Sequence, residues 1–293
     1  NAKFARYSLS DLGQDQFSQE FQLVGKAGDF EYVAGLYYFN ENVRESAATP
    51  TTNQWNATGT AYTIISPYTV GNSPLHGMRS LQRASEAEAT SYAVFGQAIW
   101  TPSGFDRLHL TVGGRWTHDE REGLLYRVQN KPANFLFSYE DERFDPLVIA
   151  AFDATDDINF YAKYSTGYRA GGANSRSQTF TAFGAEEVKA YEIGTKMDLL
   201  DHRVRLNLAA YWMDRDGTQT DFDNVDTNPL SPTFNLHTEE TRNAPGTSKI
   251  KGFEAELLAR PIDGLTLVLS YAYTDVEVPA TPNPFLGNTL TQV

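Results

Sequence analysis

The sequence predicts an all-β fold, namely a segment of an antiparallel transmembrane β-barrel with about ten strands, short periplasmic turns and long extracellular loops. Apolar and polar residues alternate with a period of two in one segment after another, which is typical of strands with one apolar and one polar face. Short and long connections alternate along the chain, and aromatic residues are concentrated near strand ends. No segment has a convincing period of 3.6 residues, which disfavours an α/β fold.

Composition is compatible with this fold. The chain has 293 residues with 24 Lys and Arg and 37 Asp and Glu, a net charge of −13, and a mean hydropathy of −0.44. The acidic balance, without a basic run of five residues, disfavours nucleic acid as a partner. Cysteine is absent, which excludes disulfides, cysteine zinc sites and thiol nucleophiles. A transmembrane strand needs only about 9 to 11 residues, apolar at alternate positions, so a low mean hydropathy does not exclude a membrane barrel.

Ten segments show the alternation and are the predicted strands. They lie near 16–25, 29–40, 91–101, 107–118, 144–153, 157–167, 187–199, 203–219, 248–260 and 264–277. The clearest are LHLTVGGRW from Leu108, INFYAKYS from Ile158, VRLNLAAYW from Val204 and LTLVLSYAY from Leu265. Their apolar faces are predicted to contact lipid through Ile158, Phe160, Ala162, Leu206, Leu208, Leu267 and Leu269.

Connections between the strands fall into two classes. The short turns, rich in Gly, Pro and Asp, lie at 26–28, 102–106, 154–156, 200–202 and 261–263. The long connections cover roughly 41–90, 119–143, 168–186 and 220–247. All short connections therefore fall at one end of the antiparallel strands and all long ones at the other, as in outer-membrane barrels.

Aromatic residues are predicted to mark the membrane interface, where Tyr and Trp side chains settle. The even-numbered strands carry them near their outer ends, at Tyr37, Tyr38, Phe39, Trp116, Tyr164, Tyr168, Tyr211, Trp212, Tyr271 and Tyr273. The third and fifth strands end in Trp100 and Phe152, consistent with a lower girdle. The alternative is that aromatic residues are simply common in strands.

Several segments together resemble TonB-dependent outer-membrane receptors. One is DATDD from Asp153 followed by YAKYSTGYRAGG from Tyr161; a second is YEIGTK from Tyr191 with LNLAAYW from Leu206. A third is GFEAEL from Gly252, ahead of the turn PIDGL. The resemblance covers about residues 16–276 and depends on the order and spacing of motifs that are only moderately specific one by one.

This resemblance implies an importer of a scarce solute, with a ferric siderophore as the favoured solute, in the outer membrane of a Gram-negative bacterium. Its partners would be outer-membrane lipid, a small-molecule ligand such as a metal chelate, and the TonB complex, reached through a plug that is not in this chain. In this family the plug precedes a barrel of about 22 strands. Residues 1–293 are therefore expected to be the middle of one barrel domain. A passive porin or small closed outer-membrane barrel, and a soluble antiparallel β carbohydrate-binding protein, remain alternatives.

The polar strand faces are predicted to line the lumen. Charged residues on these faces are Arg115, Lys163, Glu192, Lys196, Asp198, Arg203, Arg205, Glu254 and Glu256. They could line a substrate path or dock a plug. Alternatively they pair across strands, as Asp198 could with Arg203 or Arg205.

Ligand contacts are expected from the long loops, above all 41–90. The candidates are Arg44, Trp55, Tyr62, Tyr68, His76, Arg79, Arg83 and, after the sixth strand, Arg169. Cationic and aromatic groups suit an anionic, partly aromatic ligand such as a ferric chelate.

No enzyme, cofactor or metal site is predicted. The segment GYRAGG from Gly167 lacks the Lys-Ser/Thr of a phosphate-binding loop, and the five histidines share no metal-ligand spacing. Asp221, Asp223 and Asp226 are predicted to lie in an acidic loop, which is either solvated or a calcium site.

Overall fold

Ten long strands form one antiparallel sheet in this computed structural model, which describes residues 9–50, 53–55, 62–64, 79–128, 131–225, 230, 237–285 and 291–292. The strands are β1 (Leu9–Ala27), β2 (Phe30–Pro50), β3 (Arg79–Trp100), β4 (Leu108–Val128), β5 (Lys131–Thr155), β6 (Ile158–Arg169), β7 (Glu186–Leu199), β8 (Val204–Asp216), β9 (Thr247–Ile262) and β10 (Leu265–Glu277). Over the described ranges, no helix is both long and apolar enough to cross a membrane.

The ten strands are arranged in chain order, each paired with the next. The antiparallel all-β prediction is confirmed. Among the described residues β1 pairs only with β2, and β10 only with β9, so these ten strands form an open sheet. A barrel closed by these ten strands alone, one of the alternatives, is not what the structure contains.

Tight turns join the strands at one end of the sheet. Gly28 in the β1–β2 turn and Gly264 in the β9–β10 turn have φ values of +56° and +83°, which glycine adopts without a Cβ clash. In the β7–β8 turn the non-glycine residues Leu200, Asp201 and His202 all have positive φ. All five short connections therefore exist, at bounds that differ from the predicted ones by at most two residues.

The first five strands are longer than predicted. The prediction of a long connection at 119–143 is wrong, because β4 continues to Val128 and β5 begins at Lys131. Much of the predicted loop 41–90 is likewise strand, since β2 reaches Pro50 and β3 begins at Arg79. The prediction fails because apolar and polar residues do not alternate in the β4–β5 extensions, where Leu124 and Leu125 are adjacent and Phe135, Leu136 and Phe137 follow one another. Backbone pairing between strands needs no such alternation.

Two further expectations are corrected. The predicted eighth strand at 203–219 ends at Asp216, and Arg203 lies in the turn before it. The predicted loop 220–247 contains a hairpin of Gln219–Val225 with His237–Asn243, so Asp221 and Asp223 lie on a strand while Asp226 is outside the described residues. The spacing of the acidic residues does not predict the hairpin, because each of its strands pairs with a segment on the other side of residues 226–236 in the sequence.

Alternate residues of each strand fall on two faces of the sheet. The outer face is the one that carries Val112, Phe160 and Leu208; the inner face carries Arg115 and Lys163. Large apolar side chains are exposed on the outer face at Leu36, Val94, Val112, Val148, Phe160, Ile193, Leu208 and Leu269. An exposed apolar face of this extent marks a lipid or protein contact surface.

Aromatic residues form two rows on the outer face. Tyr38 contacts Tyr92 at 5.3 Å between ring centroids, and Tyr164 contacts Tyr191 at 5.0 Å. Nearer the short turns, Phe30 stacks on Trp100 at 6.3 Å. The expectation that Tyr37, Phe39 and Tyr211 belong to the girdle is wrong, because the register turns them to the inner face. Tyr38 and Trp116 also lie in mid-strand, because β2 and β4 continue well past them.

Candidate functional site

The candidate site is the inner face of the sheet and the segments that lie on it at the long-loop end. The strand register puts eight predicted lumen residues on this face: Arg115, Lys163, Glu192, Lys196, Asp198, Arg205, Glu254 and Glu256. Their lumen role stays a prediction. The geometry shows which neighbours they contact.

Near the short turns these side chains are paired with one another. Arg205 donates two hydrogen bonds of 2.9 Å to Asp198, so the cross-strand pairing considered for Asp198 is made by Arg205. The Tyr161 hydroxyl donates to Glu192 at 2.6 Å, and its ring lies under Lys196 at 6.0 Å. Asp198, Arg205, Glu192 and Lys196 are thus engaged with neighbours on the inner face.

Farther from the turns, Arg115 is held by aromatic rings. Its guanidinium lies 5.0 Å from the Tyr37 centroid and 5.7 Å from that of Phe95, and its Nε donates to Thr117 at 3.1 Å. Cation–π contacts keep a guanidinium in place while leaving donors for another acceptor.

The segment 170–185 lies on the inner face of the β4–β5 hairpin. Phe180 is 2% exposed and meets Phe137 edge to face at 4.8 Å, beside the fully buried Leu125. Arg121 donates to the Gly171 carbonyl at 2.8 Å. A Cβ on Gly171 would stand 2.4 Å from the Tyr139 ring, so the glycine-rich segment serves close packing, as the absence of a phosphate-loop Lys-Ser/Thr suggests.

The outer half of β6 turns onto the same surface. Its ladder with β5 ends at the pair Leu147 and Ser165. Beyond it, Thr166 donates to Asp145 at 2.7 Å and the Tyr168 hydroxyl donates to Asp119. Burial raises the pKa of Tyr168, which therefore remains a hydrogen-bond donor at neutral pH.

Arg143 joins the same network from β5. Its Nε lies 2.8 Å from Asp145 and its Nη1 lies 2.7 Å from Glu187. These two carboxylates outweigh burial and raise the pKa of Arg143. The nearby Tyr139 hydroxyl donates to Asp141 at 3.0 Å, and burial raises the pKa of Tyr139 to about 12. Arg143, Tyr139 and Tyr168 therefore keep their protons throughout the physiological pH range and act as hydrogen-bond donors.

Arg83 is a buried cation of the site with an unsatisfied nitrogen. It is 6% exposed, its Nε has no hydrogen-bond partner among the described residues, and burial lowers its pKa. Glu45 and Glu239 oppose this lowering, while Arg176 adds to it. Ser175 donates to Glu45 at 3.0 Å, and Arg176 pairs with Glu239 at 3.1 Å. Arg83 therefore lies in the electrostatic field of both carboxylates and of the Arg176 guanidinium, and Arg176 is paired with Glu239.

The other predicted ligand residues are dispersed. Arg169 pairs with Glu186 at 3.2 Å at the start of the segment 170–185. Arg44 lies on the outer face, 81% exposed and 3.8 Å from Glu86, so the geometry lends its predicted ligand contact no support. Three more candidates lie on strands at positions whose side chains the structure does not describe, namely Arg79, Trp55 and Tyr62. Tyr68 and His76 are outside the described residues.

Several residues of the site are not predicted by the sequence analysis. Glu240 is 1% exposed and accepts the Gln178 amide at 2.7 Å, while its second oxygen lies 3.6 Å from Arg242. Asn243 donates to the carbonyls of residues 184, 185 and 217 at 2.8–3.0 Å. No period or motif marks these positions, since each acts through a segment distant in the sequence.

Comparisons with known proteins agree on the fold. A family model described as "TonB dependent receptor-like, beta-barrel" matches residues 2–293. The Metal-pseudopaline receptor CntO of Pseudomonas aeruginosa is 27% identical over 148 residues, 50% of this chain and 19% of that protein. The Ferric-pyoverdine 358 receptor of Pseudomonas putida is 26% identical over 174 residues, 59% of this chain and 20% of that protein.

Among solved structures, the ferric yersiniabactin uptake receptor FyuA from Yersinia pestis superposes with a TM-score of 0.66 at 20% identity. The match covers 94% of this chain and 37% of that one. At such low identity the similarity establishes the fold alone. The chain spans about a fifth of the length of the curated relatives it matches.

Proposed function

This chain belongs to the TonB-dependent receptor-like β-barrel family, and from that membership we propose that it is part of a receptor that imports a metal chelate, with a ferric siderophore as the favoured solute. Members of this family are transport receptors of the Gram-negative outer membrane, not enzymes; they bind metal-chelate or siderophore ligands and interact with TonB. The whole receptor would draw on the inner-membrane TonB complex for energy. This chain would supply barrel wall and ligand surface.

The observation that supports an anionic ligand is the burial of Arg83. A buried guanidinium with an unpartnered Nε is costly unless an anion completes its hydrogen bonds. The Arg176 guanidinium adds to the lowering of the Arg83 pKa, Glu45 and Glu239 oppose it, and Arg176 is itself paired with Glu239 at 3.1 Å. An anionic chelate that enters from the long-loop end could displace a carboxylate and accept hydrogen bonds from both guanidinium groups.

Uptake of radiolabelled iron from a panel of ferric chelates tests this proposal. Cells that express the whole receptor should import at least one chelate, and Arg83→Gln should reduce that uptake about tenfold, the effect of about 1.4 kcal/mol. Arg44→Gln is the matched control, since Arg44 is exposed on the outer face. Equal uptake by the Arg83→Gln variant and the unaltered receptor would contradict the assigned ligand surface.

Energy dependence separates import from passive diffusion. Uptake should stop when the inner-membrane energy-transducing complex is deleted. Uptake that persists unchanged in such cells would favour the porin alternative, and oligosaccharide uptake or binding without iron uptake would contradict the chelate as solute.

A further inference from the structure

A histidine and three glutamates meet on the outer face of β4 and β5, at the outer aromatic row and just beyond it. His118 lies directly opposite Glu142, and Glu120 lies directly opposite Glu140. Like charges directly opposite each other on paired strands destabilise the pair. Even so, the two carboxylates turn toward the same imidazole nitrogen.

The geometry is that of a small ligand set. Nε2 of His118 is 2.9 Å from Glu120 Oε1 and 4.0 Å from Glu140 Oε1. One ligand atom from each of the three residues lies within 4.8 Å of the others. Atoms that share one metal ion at about 2.0–2.2 Å are necessarily separated by less than about 4.4 Å, so only a small rotamer adjustment would be needed.

The imidazole is also held in orientation. Its ring lies 6.3 Å from those of Trp116 and Tyr92, and its side chain is only 15% exposed. Nδ1 is buried without a hydrogen bond and faces Glu142 Oε1 at 3.4 Å. Histidines that bind metals through one nitrogen generally have a carboxylate next to the other, which selects the tautomer.

The net charge of this group favours the binding of a cation. Three carboxylates surround one imidazole, so even a protonated His118 leaves the group with a net charge of about −2. Glu120 and Glu140 are 55% and 70% exposed and leave solvent-side coordination positions open. Imidazole with two carboxylates suits zinc, whereas calcium and magnesium prefer oxygen ligands alone.

We propose that His118, Glu120 and Glu140 bind a divalent zinc-type cation, with Glu142 orienting the imidazole. The site ties β4 to β5 on the outer face. It is separate from the inner-face ligand surface and does not depend on the proposed import function.

Equilibrium dialysis of the whole purified protein in detergent, after treatment with a chelator, tests the site with Zn²⁺. The unaltered protein should bind one Zn²⁺ that His118→Ala does not. Glu120→Gln and Glu140→Gln, which keep side-chain size, should each weaken binding at least tenfold, and Glu142→Gln by a factor of about 10. His202→Ala is the control, because His202 is exposed and contacts the single carboxylate of Asp157 at 3.9 Å.

Two results would overturn the site. The first is that His118→Ala binds Zn²⁺ as well as the unaltered protein does, or that Glu120→Gln and Glu140→Gln both do. The other is displacement of Zn²⁺ by equimolar Ca²⁺ or Mg²⁺, which would show an oxygen-only site. If His118→Ala fails to fold, the two exposed glutamine variants still decide the outcome.

Discussion

Adjacent residues of one strand serve two different environments. Leu208 on the outer face is 37% exposed, and its neighbours across the sheet are Thr195 and Ala255. Asn207, one residue earlier, points to the inner face and donates to Glu256 at 3.4 Å. Because the side-chain period of a strand is two, a single step along the chain exchanges the apolar outer surface for the polar inner one.

Leu208→Arg should therefore impair insertion, by about 2 to 4 kcal/mol for a position near the bilayer midplane. Leu208 is midway between Val204 at the start of β8 and Trp212, which fits such a position. Asn207→Arg is the matched variant and should be milder, because the new guanidinium would stand beside Glu256. Folding titrations into lipid vesicles measure both, and equal losses would contradict the assigned faces.

Strands β4 and β5 have one part within the apolar belt and another part that extends beyond the outer aromatic row. The hairpin of β4 and β5 continues past Trp116 on paired backbone hydrogen bonds and carries the segment 170–185 on its inner face. Phe180 is the main apolar anchor of that segment, and it has a positive φ of 56°. Packing of one ring against Phe137 and Leu125 therefore holds the segment over Arg83.

Phe180→Ala should release the segment 170–185 while leaving the sheet intact. Loss of a buried phenylalanine costs about 3 to 5 kcal/mol, and here that cost falls on docking of the segment. Hydrogen exchange should accelerate in 170–185 with β7 and β8 unchanged. Thr179→Ala, at an exposed neighbour, is the control, and unaltered protection in Phe180→Ala would refute the anchoring role.

The molecule as a whole presents an apolar belt between two aromatic rows. Trp100 and Tyr92 delimit it on β3, and the eight residue steps from one to the other correspond to about 26 Å along a strand. At the tilt of membrane barrels this is about 20 Å of height, close to the apolar band of about 25 Å in outer-membrane proteins. A mean hydropathy of −0.44 is compatible with this belt because only alternate positions of the strands within the belt need to be apolar.

The native protein should accordingly require detergent. In phase separation with a non-ionic detergent, we expect it in the detergent-rich phase, because the exposed apolar side chains of the belt bind micelles. Partition of the folded protein into the aqueous phase would support the soluble carbohydrate-binding alternative and would count against the membrane assignment.

Local pattern was sufficient for the fold class, the short turns and the division of residues such as Lys163 and Phe160 between two faces. These features depend on the period-two repeat and on turn residues, both of which are readable over about ten positions. The family resemblance seen in the motifs around Tyr161, Tyr191 and Gly252 is confirmed by the match over residues 2–293.

The full length of the strands, the burial of Arg83 and the cluster around His118 depend on long-range packing. The strand extensions beyond His118 follow from backbone pairing, which does not require the apolar alternation by which strands are recognised in the sequence. Burial of Arg83 depends on a segment about ninety residues later in the chain, and the cluster of His118 and Glu140 joins two strands. Such contacts are set by register and by loop docking, so the tertiary structure was required to reveal them.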